Sequence, residues 1–146
     1  MGGRAAYYLA KRLIELGISV QIVENKKERC EELSVLLPQA IIVNGDGTSE
    51  ELLNEIGITT TESLVPLTGI DEENIMLTLY AKEVSNAKVV TKINRITYTG
   101  VIDQLDLGSV VYPKYITSEA IIAFVRSKTA TMNNNIETMI HLFDER

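Results

Sequence analysis

Two glycines open the chain in M-G-G-R-A-A, and glycine is the residue that a phosphate-binding turn requires. On the pattern G-x-G-x-x-G/A, Gly3 takes the second glycine, where a missing Cβ lets backbone approach a pyrophosphate. Ala6 takes the third small position, where helix packs closely on strand. Met1 stands where the first glycine belongs, so the pattern is incomplete. Amides opening the helix would bind the anion. Glu24 follows about 20 residues later, the spacing at which a carboxylate accepts hydrogen bonds from ribose hydroxyls. A solvated glutamate at a strand end is the plainer alternative. A carboxylate there repels a 2′-phosphate and so favours NAD(H) or another adenine nucleotide over NADP(H), while Lys26 and Lys27 beside it soften that preference.

Three further turns follow apolar runs and therefore belong to the carboxyl edge of a parallel sheet, where open α/β folds bind ligands. In N-G-D-G-T (44–48), Asp46 can accept from an adenine amino group; equally, Gly45-Asp46-Gly47 is a tight turn into a capped helix. In L-T-G (67–69), Thr68 and Gly69 can bind ribose or phosphate. In K-I-N-R (92–95), Lys92 or Arg95 can neutralise phosphate charge, or both are solvated loop cations.

Catalytic and metal-binding groups are expected to be absent. The lone His141 sits far along the chain from these turns, and Cys30 falls on a helix's apolar face. The D-E-E run at 71–73 reads as a helix N-terminus favoured by the macrodipole. Fourteen Lys and Arg against 20 Asp and Glu argue against a nucleic-acid surface. A single cysteine rules out an internal disulfide, and with no apolar run of spanning length the chain reads as cytosolic, without direct membrane insertion.

The elements that must carry these residues alternate. Ala6, Leu9, Ala10 and Leu13 have helical spacing, and ISVQIV (18–23) is a β-branched run of strand length. Cys30, Leu33 and Leu37 mark a second helix closed by Pro38, and AIIV (40–43) suits a strand buried on both faces. Thr48 with Glu51 reads as a capping box opening a third helix. SLVPL (63–67), a helix capped by Asp71, KVVTKI (88–93), a helix through Val101, Ile102 and Leu105, and SVVY (109–112) continue the series. TSEAIIAFVRSK is a final helix, and IETMIHLF (136–143) alternates like a separate edge or interface strand. The fold class is α/β, a Rossmann-like doubly wound parallel sheet. Because the glycine turn should follow a central strand, that first strand is expected to be missing and the sequence to be a piece of a longer protein. Strands 18–23 and 63–67 would then lack their shared neighbour, the sheet would depart from the ordinary form there, and nucleotide would not be held.

The segments G-G-R-A-A-Y-Y-L-A, V-E-N-K-K-E-R-C-E-E-L, N-G-D-G-T-S-E-E-L-L, L-T-G-I-D-E-E-N-I and V-V-Y-P-K-Y-I-T-S-E-A-I together strongly resemble the RCK, or KTN, domain of TrkA-type potassium-uptake regulators. The resemblance runs from Gly2 to about Arg126, and the G-G-R-A-A-Y-Y form favours the second domain of a tandem pair. It implies a nucleotide-binding regulatory domain over 1–128, with 129–146 a linker and the start of a following C-terminal regulatory domain. It implies NAD(H), ATP or ADP as ligand and no enzymatic turnover. It also implies a membrane-embedded potassium transporter subunit as partner, a homodimer or higher ring, and a cytoplasmic place at the inner face of the cell membrane. Carried over by position, Gly3 and Arg4 belong to the phosphate turn, Glu24 to the ribose carboxylate, Asp46 and Gly47 to the adenine-side turn, and Thr68 and Gly69 to the ribose-side loop. Asn74, Lys92 and Arg95 are weaker transfers. The competing readings are the cofactor domain of an NAD-dependent oxidoreductase and an assembly domain with a vestigial site. The helix at TSEAIIAFVRSK, through Ala120, Ile121, Phe124 and Val125, is expected to pack on a second copy.

Overall fold

The computed structural model describes residues 2–94, 99–112, 121–123 and 139–143. Helix α1 (Gly2–Glu15) ends at the left-handed Gly17 and leads into strand β1 (Ser19–Glu24). Helix α2 (Lys27–Leu36), strand β2 (Ile41–Asn44), helix α3 (Glu50–Glu55) and strand β3 (Ser63–Pro66) follow. Helix α4 (Asp71–Val84), strand β4 (Lys88–Lys92), helix α5 (Thr99–Gln104), strand β5 (Ser109–Val111) and strand β6 (Met139–Phe143) come next, and a short 3-10 turn (Ile58–Thr60) precedes β3.

The six strands form one parallel sheet in the order β2-β1-β6-β3-β4-β5. A dinucleotide fold counts its strands 3-2-1-4-5-6 in space, and β6 occupies the place of strand 1. The expectation of a missing central strand is therefore corrected, and with it the departure foreseen at 18–23 and 63–67. Ile140–Phe143 run beside Val20–Val23 on one side and Ser63–Pro66 on the other. A strand filling that slot satisfies the backbone amides and carbonyls of both neighbours, which would otherwise be buried without partners. The reading of 136–143 as an edge strand, lying beyond residue 128, gives way to a central one. Conversely, β2 lies at the sheet edge with Ile41 half exposed, so it is not the doubly buried strand expected from AIIV.

Neighbouring strand residues divide between two cores, as a pleated strand covered on both faces requires. Ile22, Val65 and Val90 pack with Leu9, Leu13 and Leu33 of α1 and α2, whereas Val23, Leu64 and Val89 pack with Leu53, Leu77 and Ala81 of α3 and α4. Ile121 and Ile122 are buried in the α1 core of the same chain. The expected dimer contacts through Ala120, Phe124 and Val125 lie outside the described residues.

Two helix starts differ from the sequence reading. Ser49 caps α3 by accepting from Leu52 N, and the Thr48 hydroxyl donates to Asp46. Ile70 stands at the N-cap of α4 without a side-chain cap bond, and Asp71 faces a different partner.

Candidate functional site at the carboxyl edge of the sheet

Because every strand is parallel and α1 feeds directly into β1, the N-terminus of α1 lies at the carboxyl edge of the sheet, and the helix packs on β1 and β6. Gly3 and Arg4 are in its first turn, where free amides and the helix dipole favour an anion. Glu24, Asp46, Gly47, Thr68, Gly69 and Lys92 follow or end strands on this same edge. Arg95 lies outside the described residues.

Glu24 is only 1 % exposed, with Oε1 accepting from Lys26 N at 2.9 Å. Its backbone is pinned as firmly. The Glu24 carbonyl accepts from Gly45 N at 3.0 Å, Asn44 Nδ2 at 3.1 Å and the Cys30 thiol at 3.3 Å. The buried cysteine thus packs α2 under the end of β1, a structural use that the sequence could not separate from plain apolar packing. These bonds fix the orientation of Glu24 at the end of β1.

The turn at 44–48 closes on itself. Asp46 Oδ1 accepts from Thr48 N at 2.8 Å and Thr48 Oγ1 at 2.6 Å, and these bonds hold the exposed Asp46 carboxyl below its ordinary pKa. The turn at 67–70 is closed from outside by Asn74, which is fully buried. Asn74 Oδ1 accepts from Thr68 N at 3.0 Å and Thr68 Oγ1 at 2.7 Å. Asn74 Nδ2 donates to the Thr68 carbonyl at 3.1 Å and the Lys92 carbonyl at 3.0 Å. Thr68 itself is half buried and Gly69 exposed, so that turn can meet a ligand while Asn74 stands behind it. Lys92 is 5 % exposed and contributes its carbonyl to the clamp.

Below Asn74 runs a polar seam that the sequence reading missed. Asp71 Oδ1 accepts from Asn94 N at 2.7 Å and Asn94 Nδ2 at 3.2 Å. One turn beyond Asn74, the hydroxyls of Thr78 and Thr91 meet at 2.6 Å and Thr91 donates to the Leu107 carbonyl at 2.7 Å. Since the one Thr91 proton goes to Leu107, Thr78 is the donor between the two hydroxyls. The available signal was polar residues 71, 74 and 78 at i, i+3, i+7 on an otherwise apolar helix face.

A separate groove of about 170 Å³ opens between α3 and α4, lined by Thr48, Leu53, Met76, Leu77 and Tyr80 with Glu50 and Glu73 among them. It shares none of the candidate ligand residues, and its carboxylates disfavour a phosphate. Among the described residues no cluster of three metal-ligating side chains occurs, and no helix is long and apolar enough to cross a membrane.

Comparison with known proteins agrees with this architecture. The Escherichia coli TrkA-N domain of inner membrane protein ybaL superposes with a TM-score of 0.67 at 15 % identity, covering 91 % of this chain and 93 % of that one. The NAD(P)-binding domain of an exopolyphosphatase-related protein from Archaeoglobus fulgidus superposes with a TM-score of 0.65 at 18 % identity, covering 90 % and 95 %. In sequence, the chain is 30 % identical over 145 residues to Trk system potassium uptake protein trkA homolog 1 of Methanosarcina mazei, covering 99 % of this chain and 34 % of that protein. It is 32 % identical to Trk system potassium uptake protein TrkA of Haemophilus influenzae, covering 97 % and 31 %. The chain thus spans about a third of the length of these curated relatives. Residues 2–113 match the TrkA-N domain family, and the chain belongs to that family.

Proposed function

We propose that this chain is the nucleotide-sensing unit of a potassium-uptake regulator, binding NAD(H), ATP or ADP across the carboxyl edge of its sheet. The reading is carried by Glu24, a buried carboxylate held at the end of β1, one strand away from β6. In this reading the Gly3–Arg4 turn receives phosphate, Glu24 the ribose hydroxyls, Asp46 and Gly47 the adenine side, and Thr68 and Gly69 the second ribose. Lys92 and Arg95 supply cationic charge nearby. The potassium-uptake role rests on the names of the relatives, each about three times as long as this chain. It acts without turnover, on a membrane-embedded potassium transporter subunit, from the cytoplasmic side and as a homodimer or higher ring.

Calorimetric titration with NADH, ATP and NADPH tests the reading. NADH or ATP should bind more tightly than NADPH, and Glu24→Gln should weaken NADH about tenfold by removing a charged acceptor. Tighter binding of NADPH to the unmutated protein would remove the argument from Glu24, and steady oxidation of NADH with a small carbonyl compound would favour an oxidoreductase.

A further inference from the structure

Asn74 is aligned with the ligand residues in sequence, but its geometry gives it a different task. Both lone-pair positions of Oδ1 and both protons of Nδ2 are occupied, by Thr68 N, Thr68 Oγ1, the Thr68 carbonyl and the Lys92 carbonyl. With no exposed surface and no spare donor or acceptor, the carboxamide has nothing left to offer a nucleotide. The partners also fix which way the amide faces. Turning it over would oppose its NH2 to the Thr68 N–H and its oxygen to two carbonyls. We propose that Asn74 is a positioning residue that sets nucleotide affinity from behind the site, by holding the Thr68–Gly69 turn against the end of β4.

The clamp acts through α4. Asn74 joins the ribose-side turn to Lys92, and Asp71, one turn earlier, joins the same helix to Asn94 beyond β4. Thr68 in turn accepts from Ile70 N at 3.3 Å, so its hydroxyl is oriented from both ends of the turn. Without Asn74, the Thr68 amide and carbonyl must find water, and the turn exchanges among conformers of which only a fraction suits a ligand. Affinity falls by that fraction.

The inference rests on the nucleotide reading of the site, and NADH is the probe. Asn74→Ala and Asn74→Asp are titrated beside the unmutated chain while amide exchange is followed at Thr68, whose N–H reports on the clamp directly. The expected result is an NADH affinity about tenfold weaker in Asn74→Ala, together with faster exchange at Thr68. In Asn74→Asp one carboxylate oxygen still accepts from Thr68 while the other faces two carbonyls, so burial and those carbonyls raise its pKa. Affinity should therefore be weak at neutral pH and recover as the pH is lowered, where a protonated carboxyl can donate again. Asp71 on α4 and Lys92 on β4 are the ionisable neighbours, and both are common to variant and parent, so the parent's own pH profile is subtracted. Weakened NADH with unchanged Thr68 exchange would mean that Asn74 touches the ligand, and unchanged affinity in both variants would mean that the turn needs no clamp; either overturns the proposal. Failure of the unmutated chain to bind NADH, ATP or ADP would instead overturn the nucleotide reading before any variant is compared.

Discussion

The turns after β2 and β3 lie on the same carboxyl edge, with β1 and β6 between them, and they are held by different means. At 44–48 the base is tied to the end of β1 through Asn44 and Gly45, but the tip is held locally: Asp46 binds Thr48 two residues on, and Ser49 caps the helix that follows. At 67–70 the turn is bonded from α4 through a buried Asn74 that also reaches the end of β4, and a buried Asp71 ties the same helix to Asn94. A turn that satisfies itself can move or change with little consequence elsewhere. A turn clamped from behind shares its fate with the packing of a helix.

That difference predicts a graded series of effects. Asp71→Ala should cost about 2 kcal/mol in urea denaturation, because it removes a buried acceptor of two bonds from Asn94. A cost within about 0.5 kcal/mol, the range of an ordinary surface change, would show the second turn to be no better anchored than the first. Thr91→Val should cost about 1–2 kcal/mol, since it leaves the Thr78 hydroxyl and the Leu107 carbonyl in the core without their shared partner. Ser49→Ala should cost about 1 kcal/mol or less as a lost helix cap.

The smallest effect belongs to Asp46. Asp46→Ala should change global stability by about 0.5 kcal/mol or less. Its signature is in pH instead. The folded carboxyl has its pKa lowered from 3.8 by the Thr48 hydroxyl and amide, so the turn's contribution is present above that value and is lost as pH falls through the lower, folded one. Protection of the Thr48 amide should therefore persist below pH 3.8 and vanish on further acidification. Loss of protection already above 3.8 would mean that Asp46 does not hold the turn.

The same contrast explains what the sequence made legible. Five strand and helix alternations, the ends at Gly17 and Pro38, and the edge on which Glu24, Asp46 and Thr68 gather all follow from local periodicity and spacing. Interactions across many residues were not visible. Asp71 has the spacing of a helix cap, and only the return of β4 beside α4 puts Asn94 in front of it. Thr48 has the spacing of a capping box, but its hydroxyl is turned to Asp46 and the cap is Ser49, one residue later. The strand expected to be missing between β1 and β3 is present. That Met139–Phe143 fills this place parallel to both neighbours is a tertiary outcome, because an alternating run reads alike at an edge and at a centre.

Whether this edge holds an adenine nucleotide, as proposed, is decided by titrating isotope-labelled protein with NADH and following backbone amide shifts in NMR. Saturable shifts are expected at Gly3–Arg4, Glu24–Asn25, Asp46–Gly47 and Thr68–Gly69, with the α3–α4 groove at Met76 and Tyr80 unmoved. Shifts centred on that groove, or none at any of the four turns, would contradict the proposal.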